Sequence, residues 1–136
     1  MSEEVTFSER MARVKGLLRM RAYRAGEYII CLSNVNAYES SLADVLIKSG
    51  CDVALVVSEH DGEMRLFGRC SRRIAERVSL AEVFNDLARY FGGEGGGHAT
   101  AAALSVKARI DATTMLIKAL NSIEERLGIK ASRIIE

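Results

Sequence analysis

From Thr6 to about Tyr23 the apolar residues Phe7, Met11, Val14 and Leu18 recur at helical spacing, with Arg10, Arg13, Lys15, Arg19, Arg21 and Arg24 between and beyond them. This pattern predicts an amphipathic helix within residues 1–24 that packs by its apolar stripe. Its basic side is then either solvated surface or a surface that tracks phosphates. After Gly26 the run EYIICLSNV is rich in β-branched and aromatic residues and reads as a largely buried strand. Asn36 with Glu39 three residues on has the form of a capping box, and Leu42, Val45 and Leu46 carry an apolar face to Gly50, so a helix is expected over 37–49. CDVALVVS, residues 51–58, suits a central strand. His60, Asp61 and Gly62 then supply turn chemistry before a strand over 63–70, which makes a hairpin.

Ser79 and Glu82 form a second capping box ahead of Leu80, Val83, Phe84, Leu87 and Phe91, a helical stripe that stops at Gly92. Residues 99–106 read as a further strand, and Leu116, Leu120, Ile123 and Leu127 mark a last helix ending near Gly128. A tight hairpin is antiparallel, so this order of elements predicts an α/β domain with a mixed sheet of about four main strands flanked by helices and preceded by the N-terminal helix.

At 136 residues, 49% hydrophobic and 27% charged, the chain suffices for one self-supporting core. A net charge of +1 gives no global pull on nucleic acid and leaves any such binding to local clusters of arginine. Cys31, Cys51 and Cys70 are odd in number and not closely spaced, and are expected as reduced thiols packed like small hydrophobes, which favours a reducing compartment. With His60 and His98 they make no short zinc-ligand pattern. The start of the chain carries no basic stretch leading into an apolar segment, and no run approaches membrane-helix length, so a cytoplasmic protein that does not enter membranes is expected.

Gly92, Gly93, Gly95, Gly96 and Gly97 surround Glu94 in a run that ends at His98. Ordering so many glycines is entropically costly, and a mere turn does not need five. Glycine permits positive φ and close approach of a ligand to the main chain, so the run is expected to present consecutive N–H groups of Gly95, Gly96 and Gly97 to an anion, with His98 adding a donor at the rim. A Walker loop fails at His98 and Ala99, where lysine and a hydroxyl residue are required. A dinucleotide fingerprint would follow a strand and open a helix, the reverse of the order here. Arg65 and Arg69 share one face of their strand by period two, and Arg69 and Arg72 are the candidate partners for phosphate oxygens, with Ser71 between.

The segment FGGEGGGHATAAALSV, residues 91–106, resembles the glycine motif of the DHH-associated C-terminal domain of RecJ-like exonucleases, nano-RNases and related phosphoesterases. That motif is Gly-Gly-His, two variable residues, then Ala-Ala-Gly. Gly96, Gly97, His98, Ala101 and Ala102 match it, and Ala103 replaces the last glycine. The resemblance extends over about residues 28–106, through ADVLIKSG, VALVV, the Asp-Gly hairpin and an arginine-serine segment. In the family an Arg-Ser pair joins the histidine at the ligand; Arg69 with Cys70 or Ser71 is the nearest match, and Arg72 is the alternative. The chain is also similar to the C-terminal domain of alanyl-tRNA synthetase, where arginine stands in place of His98.

The complete phosphoesterases carry Mn or Mg ions on a separate Asp-His-His domain. This chain has no such tripeptide, so the resemblance implies the substrate-binding half with no cofactor of its own, residues 25–136. The expected ligand is a nucleotide or single-stranded DNA or RNA, and the expected protein partner is a DHH catalytic domain or subunit. Two alternatives stand beside this binding function. One is a phosphodiesterase active only with that subunit, and the other is a structural or assembly module whose basic helix docks a partner or another copy of the chain, giving a homo-oligomer in the latter case.

Overall fold

A computed structural model describes residues 4–135 of the chain. The first three residues of the expected helical segment 1–24, and Glu136, lie outside the described residues. The elements run α1 (Phe7–Arg19), β1 (Arg21–Ala25), β2 (Tyr28–Asn34), α2 (Glu39–Ser49), β3 (Val53–His60), β4 (Glu63–Cys70), α3 (Arg72–Ala75), α4 (Leu80–Phe91), β5 (Glu94–Gly97), β6 (Ala101–Val106), α5 (Ala112–Leu127) and β7 (Ser132–Arg133). They form one mixed sheet in the order β5-β6-β4-β3-β2-β1-β7, with β2 and β3 the parallel pair and every other neighbour antiparallel.

The α/β class with a mixed sheet and an N-terminal helix is thus as expected, with seven strands in place of about four. The additional strands are β1, β5 and β7. They are short, and β5 is nearly all glycine, so each carries little strand propensity of its own and is made by pairing with a neighbour. The Asp-Gly hairpin forms as the sequence requires, with Asp61 and Gly62 at φ +49° and +79° between β3 and β4. Gly92 and Gly128 end α4 and α5 in the left-handed region.

Two cores lie on opposite faces of the sheet. The larger holds Leu55, Leu66, Leu104, Phe84, Leu87, Leu116 and Ile123 beneath α4 and α5. The smaller holds Cys31, Val35, Leu42, Leu46, Ala54 and Val56 beneath α2.

Several local expectations are corrected. The N-terminal helix stops at Arg19, because from Met20 onward the pattern has period two: Met20 and Ala22 reach the small core while Tyr23 and Ala25 reach the large one. The apolar stripe of α1 does not pack inward. The helix lies on α2 through buried Gly16, where a Cβ would fall 2.3 Å from Leu42 Cδ2. Ser33 Oγ donates to Gly16 O (2.7 Å), and Arg13 Nε donates to Ser41 Oγ (2.8 Å). Asn36 does not cap α2; Tyr38 holds that position in the left-handed region, with no side-chain cap. Ser79 precedes α4 but makes no cap bond, and Glu82 reaches Arg126 on α5 instead (2.9 Å). Cys31 and Cys51 form a disulfide across the small core, so only Cys70 remains a thiol. Their separation of 20 residues hid a pairing that the parallel register of β2 beside β3 creates.

Candidate nucleic-acid interface

The glycine run is a strand rather than a loop. Glu94, Gly95, Gly96 and Gly97 pair with Ser105, Leu104, Ala103 and Ala102, and His98 N–H donates to Ala101 O (2.7 Å) to close the hairpin. Since His98 and Ala101 are a hydrogen-bonded pair, the alternation of an antiparallel ladder directs Gly96 at Ala103 and turns the N–H groups of Gly95 and Gly97 outward along the open edge of the sheet. Alternate amides, not consecutive ones, are presented.

Backbone conformation or packing explains four of the five glycines. Gly92 sits at φ +74°. A Cβ on Gly93 would lie 2.4 Å from Ser105 O, and one on Gly97, at φ +151°, 2.5 Å from Ala101 O. On Gly95 it would press against Leu104 and the backbone of α4 (3.1 Å). Gly96 differs: nothing lies within 4 Å of its Cβ position, and its φ is not in the left-handed region. The chain itself has no need of glycine there.

Gly96 opens onto a bare part of the sheet. On the face covered elsewhere by α1 and α2, those helices contact β2, β3 and β4, and Ala103 on β6 is exposed. Register places the residues of this open area. His98 stands opposite Ala101, Ala101 opposite Arg69, and Arg69 opposite Ala54, so a histidine and an arginine flank a single alanine across three strands. One step along β4 from Arg69 on the same face is half-buried Phe67, and then exposed Arg65. The hairpin turn is anchored from beneath: Thr100 O accepts from Cys70 N–H (2.9 Å) and Ala99 O accepts from Leu80 N–H (3.0 Å).

His98 is exposed and makes no side-chain hydrogen bond among the described residues. Arg69 reaches Asp44 at 3.6 Å, but Asp44 is held more closely by Lys48 (2.9 Å), and its carboxyl is kept below the ordinary range first by that Lys48 hydrogen bond and also by Arg69. The Glu63 carboxyl is likewise lowered, first by the Ser105 hydroxyl and then by Arg65, which closes the far end of the open face. Cys70 donates to Ala99 O, and burial with nearby Asp52 pushes its thiol up to about 11, so it is a packing residue rather than a nucleophile.

The structure brings together Gly95, Gly96, Gly97, His98 and Arg69. Ser71 is committed elsewhere: it caps α3 through Ile74 N–H and donates to Asp52 Oδ1 (3.1 Å). Arg72 follows it, exposed, as the first residue of α3. Arg73 and Arg77 turn to the Tyr28 ring and to the carbonyls of Glu27 and Leu127. Phe67 was not singled out by the sequence reading, although period two from Arg65 already put it on this face. Among the described residues no three His, Cys, Asp or Glu side chains gather to hold a metal ion, and no helix is long and apolar enough to cross a membrane.

Residues 33–127, more than half of the chain and the whole of the open face, match the DHHA1 domain. The chain belongs to the DHHA1 family. This DHHA1 chain is 33% identical over 107 residues, 77% of its length, to uncharacterized protein MJ0988 of Methanocaldococcus jannaschii, and spans about a third (32%) of that relative. Its fold is similar to the C-Ala domain of Aquifex aeolicus alanyl-tRNA synthetase, with TM-score 0.61 and 20% identity over 75% of this chain and 96% of that one. It is also similar to a pGpG-specific phosphodiesterase from Vibrio cholerae, with TM-score 0.55 and 15% identity over 90% of this chain and 40% of that one. The DHHA1 match runs from the end of β2 to the end of α5 and so includes the elements that carry His98 and Arg69.

Proposed function

We propose that this DHHA1 domain holds a nucleotide or the phosphorylated end of a single-stranded nucleic acid for a phosphoesterase unit that lies outside the residues described. The observation that supports it is Gly96, a glycine with no structural need, opening onto a face bounded by His98 and Arg69. A missing side chain at that point leaves the backbone and the small surface of Ala101 and Ala103 open to a flat ligand. Phe67 gives the same face aromatic character for a base or ribose. The outward amides of Gly95 and Gly97 and the Arg69 fork are donors suited to phosphate oxygens, with Arg72 beyond the turn as a second cation.

A metal-assisted step is not assigned to these residues, since the donor set needed for one is not assembled among them. In the proposed division of labour Mn or Mg belongs to an Asp-His-His unit, and this chain binds and orients. The name of the Vibrio cholerae relative in fold supplies an apt probe, the dinucleotide pGpG. Calorimetric titration of the chain at low salt with pGpG, with the same dinucleotide lacking its 5′-phosphate, and with short single-stranded DNA and RNA tests the reading. Binding that weakens when the 5′-phosphate is removed is expected. No heat of binding with any of them would refute it.

A further inference from the structure

The face of α1 turned away from the sheet is apolar and uncovered: Phe7 is 70% exposed and Leu18 82%, with Met11 and Val14 between them. These four positions step by four, three and four residues, the spacing of a two-helix seam rather than of a helix packed on a sheet. Diametrically opposite, buried Gly16 and the Ser41 hydrogen bonds with Arg13 and Glu9 already fix α1 to α2. The seam is therefore presented on a preformed helix, and covering it requires no further ordering of the chain. It also lies outside the residues that match the family, at a distance in sequence from the candidate ligand face.

We infer that α1 is a dimerisation element that pairs with α1 of a second copy in antiparallel orientation. About a two-fold axis between Met11 and Val14, Phe7 of one copy meets Leu18 of the other, and Met11 meets Val14. The flanking charges choose the orientation. Antiparallel pairing sets Ser8 against Lys15 and the Arg10 stem against Leu17, whereas parallel pairing would set Arg10 against Lys15, a like-charge contact. Antiparallel pairing also brings exposed Glu4, just ahead of the helix, to the basic end formed by Arg19 and Arg21 of the second copy.

Sedimentation velocity of the full chain over a wide concentration range tests the assembly, and disulfide trapping tests its geometry. A reversible dimer is expected. Leu18→Glu should weaken it by about a hundredfold or more, since it places an unpaired charge in the seam. At concentrations where both are monomeric its unfolding temperature should match the wild type, because Leu18 makes no core contact in the single chain. Oxidation of a mixture of Phe7→Cys and Leu18→Cys chains should give the mixed dimer. Phe7→Cys alone should not cross-link, its two copies lying about 16 Å apart along the axis. A chain that stays monomeric at every concentration overturns the inference, and so does self-cross-linking of Phe7→Cys, which would show parallel pairing. A monomer that instead sediments with anionic lipid vesicles or with a separate Asp-His-His domain assigns the seam to another occupant and equally overturns it.

Discussion

Gly96 and Gly97 are neighbours with opposite demands. At Gly97 the backbone sits at φ +151° with no room for a Cβ, so Gly97→Ala should lower stability by about 2 kcal/mol or more, read as a fall in unfolding temperature. Gly96 meets neither constraint. Gly96→Val in this extended strand should leave the unfolding temperature unchanged or raise it, because glycine is the poorer strand residue, while it blocks the open face and weakens pGpG binding at least tenfold. If binding survives Gly96→Val unaltered, the ligand does not lie over β5 and β6. The glycines were legible as a special feature of the sequence, but their separate reasons were not. Those depend on Ser105, Ala101 and the backbone of α4, which come close only through β5–β6 pairing and helix packing.

At the scale of elements, features written in adjacent residues were readable and features made by pairing were not. The Asp61-Gly62 turn and the glycine stops of α4 and α5 follow from φ requirements that a few residues express by themselves. The two capping boxes failed because tertiary partners claimed the positions: Glu39 stands 3.5 Å from His60, and Glu82 pairs with Arg126. Arg126 also bonds Asp86, so one guanidinium ties α5 to α4, and the Asp86 carboxyl is held below its ordinary value of 3.8, chiefly by that hydrogen bond. A depressed carboxyl stabilises the fold at pH above its unfolded value, and the contribution is lost as pH falls through the folded one. The wild-type unfolding temperature should therefore drop on acidification below 3.8 more steeply than that of Asp86→Asn. The disulfide joining Cys31 on β2 to Cys51, two residues before β3, closes 20 residues, and in the chain-entropy account removing it costs about 3 kcal/mol. Unfolding with and without a phosphine reductant, compared with the Cys31→Ala, Cys51→Ala double variant, should show that loss. Equal stability in all three would mean the bridge does not form in solution.

For the molecule as a whole, the proposed function rests on uneven coverage of the sheet. The large core is roofed by α4 and α5, whereas on the other face α1 and α2 leave the β6–β5 end bare, and it is there that register sets His98 and Arg69 on either side of Ala101. The resemblance in residues 91–106 pointed to His98 directly. The open face that surrounds it was not legible, because it is defined by where helices are absent. If Arg69 contacts phosphate, Arg69→Ala should weaken binding of a single-stranded oligonucleotide and reduce the magnitude of its log–log salt slope by about 0.7. The central claim is that this face is the ligand site, and its most direct test is pGpG titration of His98→Ala beside thermal unfolding of the same variant. His98 is exposed, so the unfolding temperature should hold, while loss of one hydrogen bond to a charged group, about 1.5 to 3 kcal/mol, should lower affinity ten- to a hundredfold. Wild-type affinity in a normally folded His98→Ala protein would contradict the account.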